Sequence, residues 1–103
     1  MALHKLERTD AVAPGYLKAF DVDGRSVLLA CGENGPVAVL NACPHAGSPL
    51  HDGRTLGHRL RCPRHGYIFD LETGTCARGR REGFGGLTFV ALSEVDGHLA
   101  VEV

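Results

Sequence analysis

Cysteine and histidine stand together twice in this chain, as Cys43-Pro44-His45 and as Cys62-Pro63-Arg64-His65, with 16 residues between the two groups. As ligand spacing this is C-x-H followed by C-x-x-H: two thiolates and two imidazoles held in two short, proline-containing loops. Such a set suits either a zinc ion or a two-iron, two-sulfur centre with thiolates on one iron and imidazoles on the other. The order of the ligands separates the two. Common zinc patterns pair like with like, two cysteines followed by two histidines, whereas here each loop offers one of each. That alternation favours the iron–sulfur centre and leaves a structural zinc module as the alternative.

The surrounding residues carry a resemblance. Cys43-Pro44-His45-Ala46-Gly47-Ser48 and Cys62-Pro63-Arg64-His65-Gly66-Tyr67-Ile68-Phe69 resemble the two cluster-binding boxes of Rieske proteins, specifically through the boxes and more loosely along the flanking strands. The resemblance implies one [2Fe-2S] cluster per chain. Cys43 and Cys62 would hold the inner iron, which stays ferric, and His45 and His65 the outer iron, which changes valence. Gly47 and Gly66 then have two readings: unusual backbone dihedrals with N–H groups aimed at cluster sulfur, or ordinary turn duty.

Departures from the family pattern sharpen the expectation. High-potential respiratory members carry an extra cysteine in each loop, joined as a disulfide; Ser48 and Arg64 stand at those positions here, so that bond cannot form. Tyr67 and Phe69 replace a serine and a tyrosine whose hydroxyls donate to sulfur. Fewer such donors leave the reduced cluster less stabilised, which places the potential toward the lower end of the Rieske range, on the order of −150 mV. This combination resembles the small ferredoxins of bacterial aromatic-ring-hydroxylating dioxygenase systems. The implied role is a one-electron carrier, with no catalytic residues of its own, between an NAD(P)H-dependent flavoprotein reductase and a terminal oxygenase. The family's proline-containing cover over the cluster is replaced by the proline-free stretch 77–86, where Phe84 is a candidate cap.

The chain on either side of these loops reads as strands. Asp23-Gly24 separates Gly15–Val22 from Arg25–Cys31, Asn34-Gly35 leads into Pro36–Leu40, and Asp96-Gly97 separates the strand beginning at Leu87 from His98–Val103. These dipeptides tolerate positive φ and suit two-residue hairpin turns. No stretch sustains a 3.6-residue apolar period. The expectation is an all-β Rieske fold: an antiparallel sandwich or barrel base, with a cluster-binding subdomain of two pinched loops inserted at about 41–82 in a single domain of residues 1–103. Short strands are expected within the insertion near Leu60-Arg61 and Tyr67–Asp70, and Leu71–Gly74 reads as a turn.

Composition narrows the partners. The chain has 103 residues and a formal net charge of −1, with no basic stripe for nucleic acid, no apolar leader and no membrane-length run. A cytoplasmic monomer is expected, with Cys31 and Cys76 as reduced structural thiols and His4, His51, His58 and His98 as surface histidines. Charge is unevenly spread. The insertion holds seven arginines (54, 59, 61, 64, 78, 80 and 81) against four carboxylates, and the remainder four cations against eight carboxylates. Two readings compete for that asymmetry: a solvated face, or a basic collar that steers docking. Other classes also compete for the whole chain. A Rieske oxygenase needs a further mononuclear-iron domain that 103 residues do not hold, while a small subunit bound tightly in a larger oxidoreductase remains an alternative.

Overall fold

The computed structural model describes residues 2–44, 47–64, 66–78 and 86–103, without the side chains of residues 77 and 78. His45, His65, Phe84, Arg80 and Arg81 lie outside the described residues. Ten strands are described in chain order: β1 (Leu3–Arg8), β2 (Leu17–Val22), β3 (Arg25–Gly32), β4 (Gly35–Leu40), β5 (Arg54–Leu56), β6 (Arg59–Arg61), β7 (Ile68–Asp70), β8 (Cys76–Arg78), β9 (Phe89–Val95) and β10 (His98–Glu102). A single 3-10 turn, Thr9–Ala11, follows β1. No described helix is long and apolar enough to cross a membrane.

Six strands form one antiparallel sheet in the order β1-β10-β9-β4-β3-β2. Its two edge strands are tied to each other at both ends of β2. Tyr16, just before β2, donates its hydroxyl to Glu7 of β1 at 2.9 Å, and Asp23, just after it, lies 3.2 Å from His4 Nε2. The sheet therefore curls into a near-barrel, which hides edges that would otherwise invite pairing with other chains. The all-β fold expected from the sequence is the fold observed.

Turn chemistry explains the hairpins. Asp23-Gly24 and Asp96-Gly97 both have positive φ at both positions (51° and 80°, 52° and 75°), the two-residue geometry whose twist matches the strands it joins. The third hairpin differs from expectation. Gly32 pairs with Gly35, so Glu33 and Asn34 form the turn, and Gly35 (φ 107°) opens β4 instead of closing the turn. An Asn-Gly dipeptide suits a two-residue turn, but here the register is set by the apolar residues that β3 and β4 must keep buried.

Strand β3 is the wall between two cores. Alternate residues of a strand point to opposite faces, and here both faces are covered. Val27 packs with Val22, Ala38 and Val101 inside the near-barrel, while Leu28 and Ala30 pack outward with Val39, Leu50, Leu60, Phe69 and Leu71. That double burial is why Val27–Cys31 reads as an unbroken apolar run instead of alternating.

The outer face of β3–β4 carries a second, four-stranded antiparallel sheet, β5-β6-β7-β8, built from chain that lies between β4 and β9. Glu33 N donates to Gly57 O at 3.0 Å and Asn34 Nδ2 to Glu72 Oε1 at 2.7 Å, joining the β3–β4 turn to the smaller sheet. The Leu71–Gly74 turn forms as expected. Asp70 Oδ1 accepts from the backbone N–H groups of Glu72 (2.7 Å) and Thr73 (3.2 Å), and the Glu72 N–H is the main reason its carboxyl is held below the usual range.

Candidate metal centre

Cys43 and Cys62 each follow a short connection out of a strand, Cys43 after β4 and Cys62 directly after β6. They are 2% and 1% exposed and belong to one apolar cluster with Leu28, Ala30, Val39, Leu60 and Phe69. Two soft sulfur donors are thus brought into the same dry core from the two ends of a 20-residue stretch, Cys43 to Cys62, that includes the β5–β6 hairpin.

The two loops close in the same way. Cys43 N donates to Ser48 O at 2.7 Å, and Gly47 N returns to Cys43 O at 2.7 Å. Cys62 N donates to Tyr67 O at 2.7 Å, and Gly66 N returns to Cys62 O at 3.1 Å. Each closure spans five residues from the cysteine, each has proline directly after the cysteine, and each turns on a glycine four residues on, at φ 72° in Gly47 and 70° in Gly66. A residue with a β-carbon is strained in that left-handed region. The unusual dihedrals expected at these glycines are present, and each N–H donates to the carbonyl of its loop's cysteine.

Three residues that position the loops were not singled out for that role from sequence. Asn41, 9% exposed, sits at the end of β4 and makes four contacts. Its Oδ1 accepts from Leu50 N (2.7 Å) and His51 N (3.1 Å), and its Nδ2 reaches Ser26 Oγ (3.0 Å) and His51 Nδ1 (3.0 Å). One buried amide thereby pins the exit of the first loop to β3 and β4. Gly53 follows in the turn after that exit; a β-carbon there would strike the carbonyl of Arg61 and crowd Pro63 at 3.3 Å, so its absence lets the first loop's exit lie against the strand that feeds the second. Arg61 lays its guanidinium over Gly66, with Nη2 3.1 Å from where a β-carbon would be. The signal for Asn41 is a polar residue ending an apolar strand; Gly53 carries none beyond its type, and Arg61, read from sequence as part of a basic collar, gives no sign there of its place over Gly66.

His45 and His65 lie outside the described residues, and among the described residues no three metal-binding side chains converge. The remaining histidines make local polar contacts: His51 Nε2 is 3.7 Å from Asp52, His58 Nε2 is 3.5 Å from Asp70, and His98 Nδ1 is 3.1 Å from Asp96 O. His4 is more enclosed than the surface position expected for it, because it helps seal the barrel seam. None of the four cysteines is in a disulfide; Cys31 is buried on β3, and burial pushes its thiol pKa up. Cys76 lies on β8, packed against the same cluster as the two loop cysteines.

The donor set suits a [2Fe-2S] centre: two buried thiols from equivalent loops, each with a histidine two or three residues further on. A family model described as the Rieske [2Fe-2S] domain matches residues 2–84. Over 67 residues the chain is 37% identical to the oxygenase component of chloroacetanilide N-alkylformylase from Rhizorhabdus wittichii, covering 65% of this chain and 19% of that protein. Among solved structures, the ferredoxin of carbazole 1,9a-dioxygenase from Nocardioides aromaticivorans IC177 superposes with a TM-score of 0.83 at 24% identity, covering 98% of this chain and 97% of that one. A chain from a complex of reduced oxygenase and oxidized ferredoxin in carbazole 1,9a-dioxygenase gives 0.83 at 21% identity, covering 96% and 100%.

Proposed function

This chain belongs to the Rieske [2Fe-2S] domain family and binds a [2Fe-2S] cluster, and from that premise we propose that it is a one-electron carrier of the ferredoxin type. It takes electrons from an NAD(P)H-dependent flavoprotein reductase and delivers them, as a monomer, to a terminal oxygenase. The cluster supplies reversible one-electron chemistry. The protein's residues hold it and govern access to it. In this reading Cys43, His45, Cys62 and His65 are the ligands, residues 41–82 are the cluster-binding subdomain of a single domain 1–103, and no residue is catalytic.

The observation that carries the proposal is the repeated loop closure, which presents Cys43 and Cys62 as equivalent thiols in one apolar core. That core excludes water from the sulfur side. Burial of the thiols with exposure of the loop tips, at Gly47, Pro63 and Arg64, suits a centre that exchanges electrons at its outer edge and transforms no substrate. The oxygenase partner is supported by the fold shared with a dioxygenase ferredoxin and by the solved oxygenase–ferredoxin complex containing a chain of this fold.

Electron paramagnetic resonance of the purified protein, with iron and zinc analysis, tests the reading. The expected result is silence when oxidised and, after dithionite, a rhombic signal with the low average g value of mixed histidine and cysteine ligation. Cys43→Ser and Cys62→Ser should each abolish it. Zinc in place of iron, or a higher average g value signifying all-cysteine ligation, sinks the ligand assignment.

A further inference from the structure

The cations of this molecule are treated differently in its two sheets. On the large sheet, Lys5 lies 3.2 Å from Asp96, Arg8 lies 2.8 Å from Asp10, and Lys18 sits over the ring of Phe20, while Arg25 at the start of β3 stands alone and exposed among the described residues, far in sequence from any other arginine of that sheet. On the small sheet, Arg54, Arg59 and Arg61, together with Arg64 in the second loop, are all exposed, and among the described residues none comes within ion-pair distance of a carboxylate, although Arg59 stands opposite Asp70 across the β6–β7 ladder and helps hold that carboxyl below its usual range.

Register makes this arrangement costly to the isolated protein. Arg54 of β5 is directly opposite Arg61 of β6, and Leu56 is opposite Arg59. Because Leu60 is fully buried between Arg59 and Arg61, those two arginines share the outer face with Arg54 and Leu56. Like charges directly opposite each other in an antiparallel pair are destabilising. Leu56 is one of three large apolar residues found notably exposed, at 43%. Three cations around an exposed leucine, two of them in mutual repulsion, form a surface that becomes favourable when something acidic covers it. The patch also borders the site, since Arg61 lies over Gly66, next to the proposed ligand His65.

We propose that the outer face of the β5–β6 hairpin, carrying Arg54, Arg59, Arg61 and Leu56, is the docking surface for an acidic face of the protein that exchanges electrons with this one. The proposal rests on the electron-carrier reading and names the chemistry of its partner. A protein fits better than a nucleic acid, because the rest of the chain has four cations against eight carboxylates and repels an extended polyanion. An apolar spot ringed by arginine also matches the make-up of protein interfaces, where arginine is enriched and the centre is dry.

The test uses the holoprotein and cytochrome b5, a soluble haem protein with an acidic rim, as the probe. Arg54→Glu places a carboxylate opposite Arg61, and Lys18→Glu makes the same change in net charge on the large sheet. By titration calorimetry the wild type should bind cytochrome b5 at low ionic strength and lose affinity with added salt; Arg54→Glu should weaken binding about tenfold and Lys18→Glu by less than about twofold. Stopped-flow electron transfer to the cytochrome should follow the same order. Arg54→Glu should also raise the melting temperature while weakening binding, because it turns a repulsive pair into an attractive one. A merely structural arginine would lower both.

Absence of wild-type binding, equal effects of the two variants, or a lowered melting temperature with unchanged binding each overturns the proposal. So does displacement of the probe by inorganic phosphate beyond what sodium chloride achieves at equal ionic strength, which would make the patch a small-anion site. If the resonance spectrum shows no cluster, the carrier reading fails while the calorimetry still decides the face. A good spectrum with indifferent calorimetry removes the docking face alone.

Discussion

The two cysteine loops share a backbone and differ in what holds them. Both close from the cysteine N–H to the carbonyl five residues on, and both turn on a left-handed glycine. The second, however, is the tip of a hairpin: β6 enters it, β7 leaves it, and buried Leu60 and Phe69 face each other across the ladder just beyond it. The first has no such ladder. It leaves β4, and its far end is held by the Asn41 side chain together with the burial of Leu50. Strand pairing with apolar packing fixes one loop, and a buried polar clamp beside one apolar anchor, Leu50, fixes the other. Equivalent thiol placement does not require equivalent support.

Removing each support should break the equivalence in a different place. Phe69→Ala empties a fully buried site under the second loop and should cost about 3–5 kcal/mol of stability; denaturant unfolding measures this, and a loss below about 1 kcal/mol would mean that packing does not hold that loop. Asn41→Leu strands the N–H groups of Leu50 and His51 and should cost about 3 kcal/mol. Asn41→Asp, which keeps both acceptor bonds, should cost about 1 kcal/mol, and hydrogen exchange at Leu50 should rise sharply only in the leucine variant.

The glycines give a finer contrast. Gly47→Ala meets no neighbour and should lose about 1 kcal/mol from its left-handed backbone alone, whereas Gly66→Ala must also push the Arg61 guanidinium aside. Their melting temperatures should therefore rank Gly47→Ala above Gly66→Ala, and the reverse order would remove Arg61 from its place over the second loop.

Smallest are the pH effects, which separate the barrel seam from the smaller sheet. Burial, aided by Glu7, pushes the Tyr16 hydroxyl up to about 12, so its contribution to stability is present below pH 10 and lost as pH rises through 12. Asp70 is shifted the other way: its contribution is present above its ordinary value near 4 and is lost as pH falls through its lowered one. Tyr16→Phe should flatten the alkaline limb only, and Asp70→Asn the acid limb only. An unchanged limb in either variant would mean that another group sets it.

What the sequence made legible followed from local chemistry. Asp23-Gly24 and Asp96-Gly97 announced their turns because their φ preferences leave little choice, and Val27–Cys31 announced a buried strand because both of its faces needed apolar residues. Asn34-Gly35 misled because the pairing of β3 with β4 set the register. Strand β1 went unread: charged residues between its apolar ones gave it no apolar run, and it gains its identity only from pairing with β10 at the far end of the chain. The strand at Cys76 is equally hard to read in its turn-rich surroundings, since β8 is short and exists by leaning on β7. In the site, the cysteines were plain from spacing, but the Asn41 clamp draws on Ser26, Leu50 and His51 from separate segments, and no local pattern displays such a convergence.

The placement of the small sheet between β4 and β9 also sets an order of assembly. The β2–β3–β4 and β5–β6–β7–β8 meanders need only neighbouring chain to form. Pairing of Val39 with Phe89, and of β1 with β10, must close loops that span half or nearly all of the sequence, and such closures are entropically slow. Both cysteines lie in or beside the early meanders, whereas β9 and β10 finish the large sheet. A nascent chain can thus present its two thiol loops before its barrel is shut, so that the seam joined by Glu7 and Tyr16 is among the last parts to form.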